Sequence, residues 1–140
     1  NNSTLSSGTM TYAWNFGDGN SSSSENPSHS YANAGNYTVT LSVTGSLGNC
    51  VESITKTVSV NEVPTVGFSA ANVCDGSAVS FTNSSTGATT YMWNFGDGNT
   101  ATSAAPSHTY ASAGTYTVML SVSNVHNCTS STTQSITVYD

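Results

Sequence analysis

Two carboxylates flanked by glycine are the groups in this chain best placed to do chemistry. They are Asp18 in Gly17-Asp18-Gly19 and Asp97 in Gly96-Asp97-Gly98. Such a loop can bind a cation, cradle a ligand or close a turn. Calcium takes about six to eight oxygens, and one Asp per loop with Asn20 or Asn99 nearby supplies too few without distant help. Asp75 in Val-Cys-Asp-Gly adds one more carboxylate, so Ca²⁺ at Asp18, Asp97 and Asp75 is the alternative and a hydrogen-bonded turn the expectation. His29 and His108 follow Ser28 and Ser107 in Pro-Ser-His, which raises the thought of a nucleophilic pair. Adjacent strand residues face opposite sides, and an orienting acid is missing, so these neighbours do not make a triad. A histidine bonding across a loop or sheet is expected instead. His126, in Asn-Val-His-Asn-Cys, stands alone, and zinc is not expected there. No second carboxylate or base lies at a defined spacing from either Asp, and no catalytic residue is assigned.

The elements that must position these groups are short strands. Tyr116, Val118, Leu120 and Val122 alternate with Thr115, Thr117, Met119 and Ser121, a period of two that marks a half-buried strand. Ile136 and Val138 alternate with Thr137 and Tyr139 in the same way. No stretch has helical periodicity with caps. An all-β sandwich follows.

Composition narrows the function classes. Charged residues are 6% of the chain, Lys56 is the only basic one, and the formal net charge is −6. Nucleic-acid binding needs clustered Lys and Arg, and a polybasic membrane-surface segment is equally absent. No apolar run approaches the roughly 18 residues of a membrane span.

Thr11–Val43 and Thr90–Val122 agree at 23 of 33 positions at an offset of 90 − 11 = 79 residues. That is too much for shared composition, and two copies of one module result. Past the match the offset drops to 78, aligning Cys50 with Cys128, Val58 with Ile136 and Val60 with Val138. We expect residues 1–61 to be a partial copy and 62–140 a complete one. The second copy carries Val-Gly-Phe-Ser-Ala-Ala-Asn-Val-Cys-Asp-Gly-Ser-Ala-Val-Ser-Phe ahead of its Trp, and the first has no counterpart. A sandwich lacking those strands exposes unpaired edges and half a core. The expectation is a cut through a longer polypeptide, with strand exchange from an adjacent subunit as the sharper alternative.

The run aromatic-x-Trp-Asn-Phe-Gly-Asp-Gly, then Pro-Ser-His-x-Tyr and Gly-x-Tyr-Thr-Val-x-Leu, resembles the polycystic kidney disease (PKD) repeat in both copies. The resemblance implies tandem immunoglobulin-like sandwiches, the first lacking its N-terminal strands, in an extracellular or cell-surface protein without catalytic activity of its own. The cysteine pattern is similar to that of PKD repeats in large surface proteins of Bacteroidota, which implies a bacterial source.

Each motif residue then has a structural role. Trp14 and Trp93, with Phe16 and Phe95, fill the inter-sheet core, as an immunoglobulin strand C tryptophan does. Gly17, Gly19, Gly96 and Gly98 permit the turn, and Asp18 and Asp97 lock it by accepting neighbouring backbone N–H groups. Tyr37 and Tyr116 stand where a tyrosine corner ties the chain to itself, while Tyr31 and Tyr110 pack. Cys74 and Cys128 are expected to form a disulfide stapling the complete copy, worth about 2–4 kcal/mol, with the partner of Cys50 absent. Odd cysteine count and low charge point to an oxidising compartment.

The short Val-Asn-Glu-Val-Pro-Thr-Val connection leaves little freedom between copies, so a stiff rod is expected. The reading is a non-catalytic rod segment of a long adhesin or surface filament, contacting neighbouring repeats and a protein or polysaccharide ligand. The alternative is a substrate-presenting accessory module of a secreted protease or chitinase.

Overall fold

Alternating apolar residues separated by glycine and asparagine turns build strands throughout. The computed structural model describes residues 9–46 and 50–140, and no helix occurs among them. The expected front of the first copy, residues 1–8, lies outside the described residues. The chain divides into two compact units, Asn1–Glu62 and Val63–Asp140.

Unit 1 holds β1 (Met10–Asn15), β2 (Ser21–Ser22), β3 (Gly35–Gly45) and β4 (Val51–Val60). They form one antiparallel sheet in the order β2-β1-β3-β4.

Unit 2 begins with four short strands: β5 (Phe68–Ser69), β6 (Val73–Cys74), β7 (Ala78–Ser80) and β8 (Thr82–Asn83). Then come β9 (Thr90–Asn94), β10 (Thr100–Ala101), β11 (Ser107–Thr109), β12 (Gly114–Ser123) and β13 (Thr129–Tyr139). The main sheet runs β10-β9-β12-β13-β6, and the pairs β11-β7 and β5-β8 make the facing layer. Burial follows the sequence alternation: on β12 Val118, Leu120 and Val122 are buried while Met119 is exposed. Trp93, Leu120, Ile136, Val79 and Phe81 meet in one core between the layers. This is an immunoglobulin-like sandwich, and its facing layer has no counterpart among the described residues of unit 1.

The expected disulfide is corrected. Cys74 and Cys128 are free thiols. Strand β6 pairs in parallel with the far end of β13, placing Cys74 opposite Tyr139, whereas Cys128 immediately precedes Thr129 at the near end. Eleven residues of extended strand separate those ends by about 35 Å, and a disulfide needs Cα atoms within about 7 Å.

Candidate functional site

The Gly-Asp-Gly loop of unit 2 closes β9 onto β10. The Phe95 N–H donates to the Asn99 carbonyl (3.1 Å), and the Asn94 side-chain oxygen accepts the Gly96 N–H (2.9 Å). Gly96 has φ +85°, and a Cβ there would lie 2.6 Å from the Thr117 carbonyl oxygen. The loop therefore rests directly on the backbone of β12, and only glycine allows that approach.

Asp97 is fully engaged. Its Oδ1 accepts the Asn99 N–H at 3.0 Å; its Oδ2 accepts the Asn99 amide at 3.0 Å and lies 2.7 Å from His108 Nε2. Burial pushes this carboxyl up, but the bonds from Asn99 and His108 outweigh it and hold it at about 2. Asp18 is held at about 2 in the same way: burial raises it, and His29 and Asn20 bring it down.

An aromatic stack extends from that Asp97–His108 contact to the start of β12. The His108 ring lies flat on Phe95 at 4.2 Å and meets the edge of Tyr110 at 4.7 Å, and Tyr110 stacks on Tyr116 at 4.0 Å. The Tyr110 hydroxyl donates to the Phe95 carbonyl (3.0 Å), and the Tyr116 hydroxyl donates to the Ser112 carbonyl (2.8 Å). Burial, with the charge of Asp97 and then Tyr116, pushes the Tyr110 hydroxyl up to about 12, so it stays a donor at physiological pH. Trp93 Nε1 donates to the Ser103 carbonyl (3.0 Å), tying the buried indole to the chain after β10.

Unit 1 repeats each contact. Asp18 Oδ2 lies 2.8 Å from His29 Nε2, and His29 stacks on Phe16 at 4.1 Å. Tyr31 donates to the Phe16 carbonyl and Tyr37 to that of Asn33. Gly17, at φ +82°, approaches the Thr38 carbonyl as Gly96 approaches that of Thr117. Trp14, expected in an inter-sheet core, is instead only half-buried, because no second layer covers it among the described residues.

Two links were not foreseen in the sequence. The acid thought missing for His29 and His108 is the Asp of each loop, and each loop's Asn20 or Asn99 clamps it. Asn15, Asp18, Asn20 and His29 recur as Asn94, Asp97, Asn99 and His108, while Ser21-Ser22-Ser23 becomes Thr100-Ala101-Thr102. That retention was the available signal.

Geometry leaves this pair little chemistry. Ser107 and Thr109 are exposed and His108 half-buried, so Ser107 points away from the imidazole side of β11. Each Asp97 oxygen already accepts protein donors, and Asp75 accepts the Gly76 N–H (3.0 Å) in another turn. No group of three or more His, Cys, Asp or Glu suited to a metal occurs among the described residues.

The PKD domain profile matches residues 1–60 and again 61–139. The chain belongs to the PKD domain family. The chain is 36% identical to the PKD1 domain of Vibrio anguillarum Epp over a match covering 57% of this chain and 98% of that one, with a TM-score of 0.52. The PKD1 domain of the Vibrio cholerae metalloprotease PrtV is 32% identical, covering 56% and 100%, at 0.51. Human polycystin-1 is 34% identical over 110 residues, covering 71% of this chain. Collagenase ColA of Bacillus cereus is 62% identical over 32 residues, covering 23% of this chain. The chain spans only 2% of the length of polycystin-1 and 3% of that of ColA. PKD domains are non-catalytic modules, and no helix among the described residues is long and apolar enough to cross a membrane.

Proposed function

We propose that this chain is a non-catalytic spacer of an extracellular bacterial protein, its PKD units forming a stiff rod segment of a long adhesin or surface filament. The observation that carries this reading is the fate of the chemical groups. In both units the Asp, His, Asn and Tyr side chains are spent on one another and on backbone, in a network that fixes a turn. A duplicated module joined by a short Pro-containing segment is what a rod requires. Small-angle scattering tests it: two aligned modules of about 35 Å each give a maximum dimension near 70 Å. A broad distribution of distances from freely swinging units would sink the rod.

A second reading is favoured by the likeness to ColA and to the metalloprotease PrtV. Here the units present a polymeric protein substrate to a hydrolase elsewhere in the parent chain. Co-sedimentation with insoluble collagen fibrils separates the two. Saturable sedimentation supports presentation, and none at high fibril load leaves the spacer reading standing.

A further inference from the structure

In unit 2 the chain enters at one pole and leaves at the other. Thr65 bridges Thr86, and the Thr89 N–H donates to the Ser123 carbonyl at 2.8 Å, so the entering segment lies at the end of β12 that leads into the β12–β13 hairpin. The chain leaves along β13, whose Tyr139 stands opposite Cys74. Each pole carries one cysteine: Cys128 closes the hairpin at the entry, and Cys74 sits at the exit.

Backbone bonds hold these cysteines in place. Cys74 opens a turn in which its carbonyl accepts the Ser77 N–H (3.1 Å) and the Asp75 N–H donates to the Tyr139 carbonyl (2.6 Å). The Cys128 carbonyl accepts the Asn124 N–H (3.1 Å), and in unit 1 the Cys50 carbonyl accepts the Gly45 N–H (3.0 Å) at the same place in its hairpin. Gly45-Ser46-Leu47-Gly48 gives way to Asn124-Val125-His126, yet Asn-Cys follows in both. The cysteine is kept where its loop is not.

Exposure separates the three by place. Cys50 and Cys74 are exposed, and Cys128 is half-buried. Because β4 runs from Cys50 towards Glu62, Cys50 lies at the pole of unit 1 away from the connection, as Cys74 does in unit 2. Cys128 lies at the pole through which unit 2 is joined to the chain before it.

We propose that Cys74 of one copy of this chain forms a disulfide with Cys50 of a second copy, joining exit pole to hairpin pole. Each copy uses a different thiol and keeps the other, so the addition can be repeated. The bond forms by exchange with a small-molecule disulfide of an oxidising compartment, such as oxidised glutathione. The Cys74 thiolate attacks that disulfide, giving a mixed disulfide and expelling one small thiolate. The Cys50 thiolate then attacks the Cys74 sulfur and expels the second. Two protein thiols lose two electrons and two protons, and the oxidant is reduced to two thiols. The link concerns the poles of each unit, so it stands whether or not the units of one chain swing freely.

The test uses the full chain in a glutathione redox buffer. One variant keeps only Cys74, through Cys50→Ser and Cys128→Ser; the other keeps only Cys50, through Cys74→Ser and Cys128→Ser. They are mixed equally, one of them isotope-labelled, and the dimers are weighed after alkylation. The heterodimer should exceed the two homodimers together by about fivefold or more. Random pairing makes them equal and overturns the proposal. The wild type, which needs no substitution, is mapped without reduction and should yield the Cys50–Cys74 peptide pair from dimers and larger species. A wild type that stays monomeric, that closes Cys50–Cys74 within one chain, or whose dimers are joined mainly through Cys128 overturns it as well.

Discussion

Two closely matching thirty-three-residue runs are set in a closed sandwich in unit 2 and, among the described residues, on one sheet in unit 1. Trp93 and Val118 are completely buried, whereas Trp14 and Val39 are half-buried. The loop network ignores this difference. The Asp–His separation is 2.7 Å in one unit and 2.8 Å in the other, the His–Phe stack 4.2 and 4.1 Å, and the Tyr–Tyr stack 4.0 and 4.1 Å. Turn geometry is thus encoded within the run itself, while core burial depends on sequence outside it. The motif acts as a local clamp that the core then uses.

Removing the tryptophan breaks the comparison hardest. Trp93→Ala empties a site lined by Phe68 and Phe81 and should cost unit 2 about 3–5 kcal/mol. Trp14→Ala removes a half-buried ring and should cost unit 1 about 1–2 kcal/mol. Native-state hydrogen exchange reads the units separately through the amides of β12 and β3. Equal losses would mean that the face of Trp14 is covered in solution.

The glycines come next. A Cβ at Gly96 would meet the Thr117 carbonyl oxygen at 2.6 Å in a left-handed conformation, whereas a Cβ at Gly98, φ +94°, meets nothing within 4 Å. Gly96→Ala should therefore cost about 2–4 kcal/mol and Gly98→Ala about 1–2 kcal/mol. Because Gly17 faces Thr38 at 2.7 Å, Gly17→Ala should match Gly96→Ala despite the open sheet. Denaturant midpoints of the four variants, with Gly19→Ala as the fourth, test this. A mild Gly17→Ala would tie the clamp to core burial.

Much of this was legible, and the gaps share a cause. Alternation at Tyr116–Val122 placed β12 and its buried face, and the Gly-Asp-Gly runs placed the turns, because both signals act over a few residues. Strand order does not. Nothing local says that β6 joins the far end of β13 in parallel, and the expected Cys74–Cys128 bridge failed on that point. The His108–Asp97 bond was missed for the same reason: β11 must fold back beside the β9–β10 turn before the imidazole reaches the carboxylate. Burial of Trp14 was over-read because no second layer covers it among the described residues.

Acid titration probes the clamp alone. The Asp97 carboxyl falls from an ordinary 3.8 to about 2 in the fold. A depressed folded value favours the charged form, so its stabilisation is complete above about pH 5 and is lost as pH falls through 4 towards 2. Asp97→Asn should remove that slope and cost about 1–2 kcal/mol at neutral pH, allowing for solvent screening at a partly exposed pair. Asp18 is lowered in the same direction, so Asp18→Asn should flatten the acid limb of unit 1. Chemical denaturation from pH 2 to 7 gives both slopes, and a pH-independent wild type would exclude the clamp from the stability of either unit.

The smallest effect is the most discriminating. Tyr116 donates to Ser112 at 2.8 Å and Tyr37 to Asn33 at 2.8 Å, each four residues back along the chain. Removing either hydroxyl leaves the ring stacked and deletes one bond between neighbours in sequence. Tyr116→Phe and Tyr37→Phe should each cost about 0.5–1.5 kcal/mol, read from β12 and β3 amides respectively. A local clamp requires the two losses to agree, because the bond, the stack and the turn are the same in both units. If Tyr37→Phe were silent while Tyr116→Phe was costly, the second layer would be enforcing the corner, and the clamp would be a consequence of the core instead of its foundation.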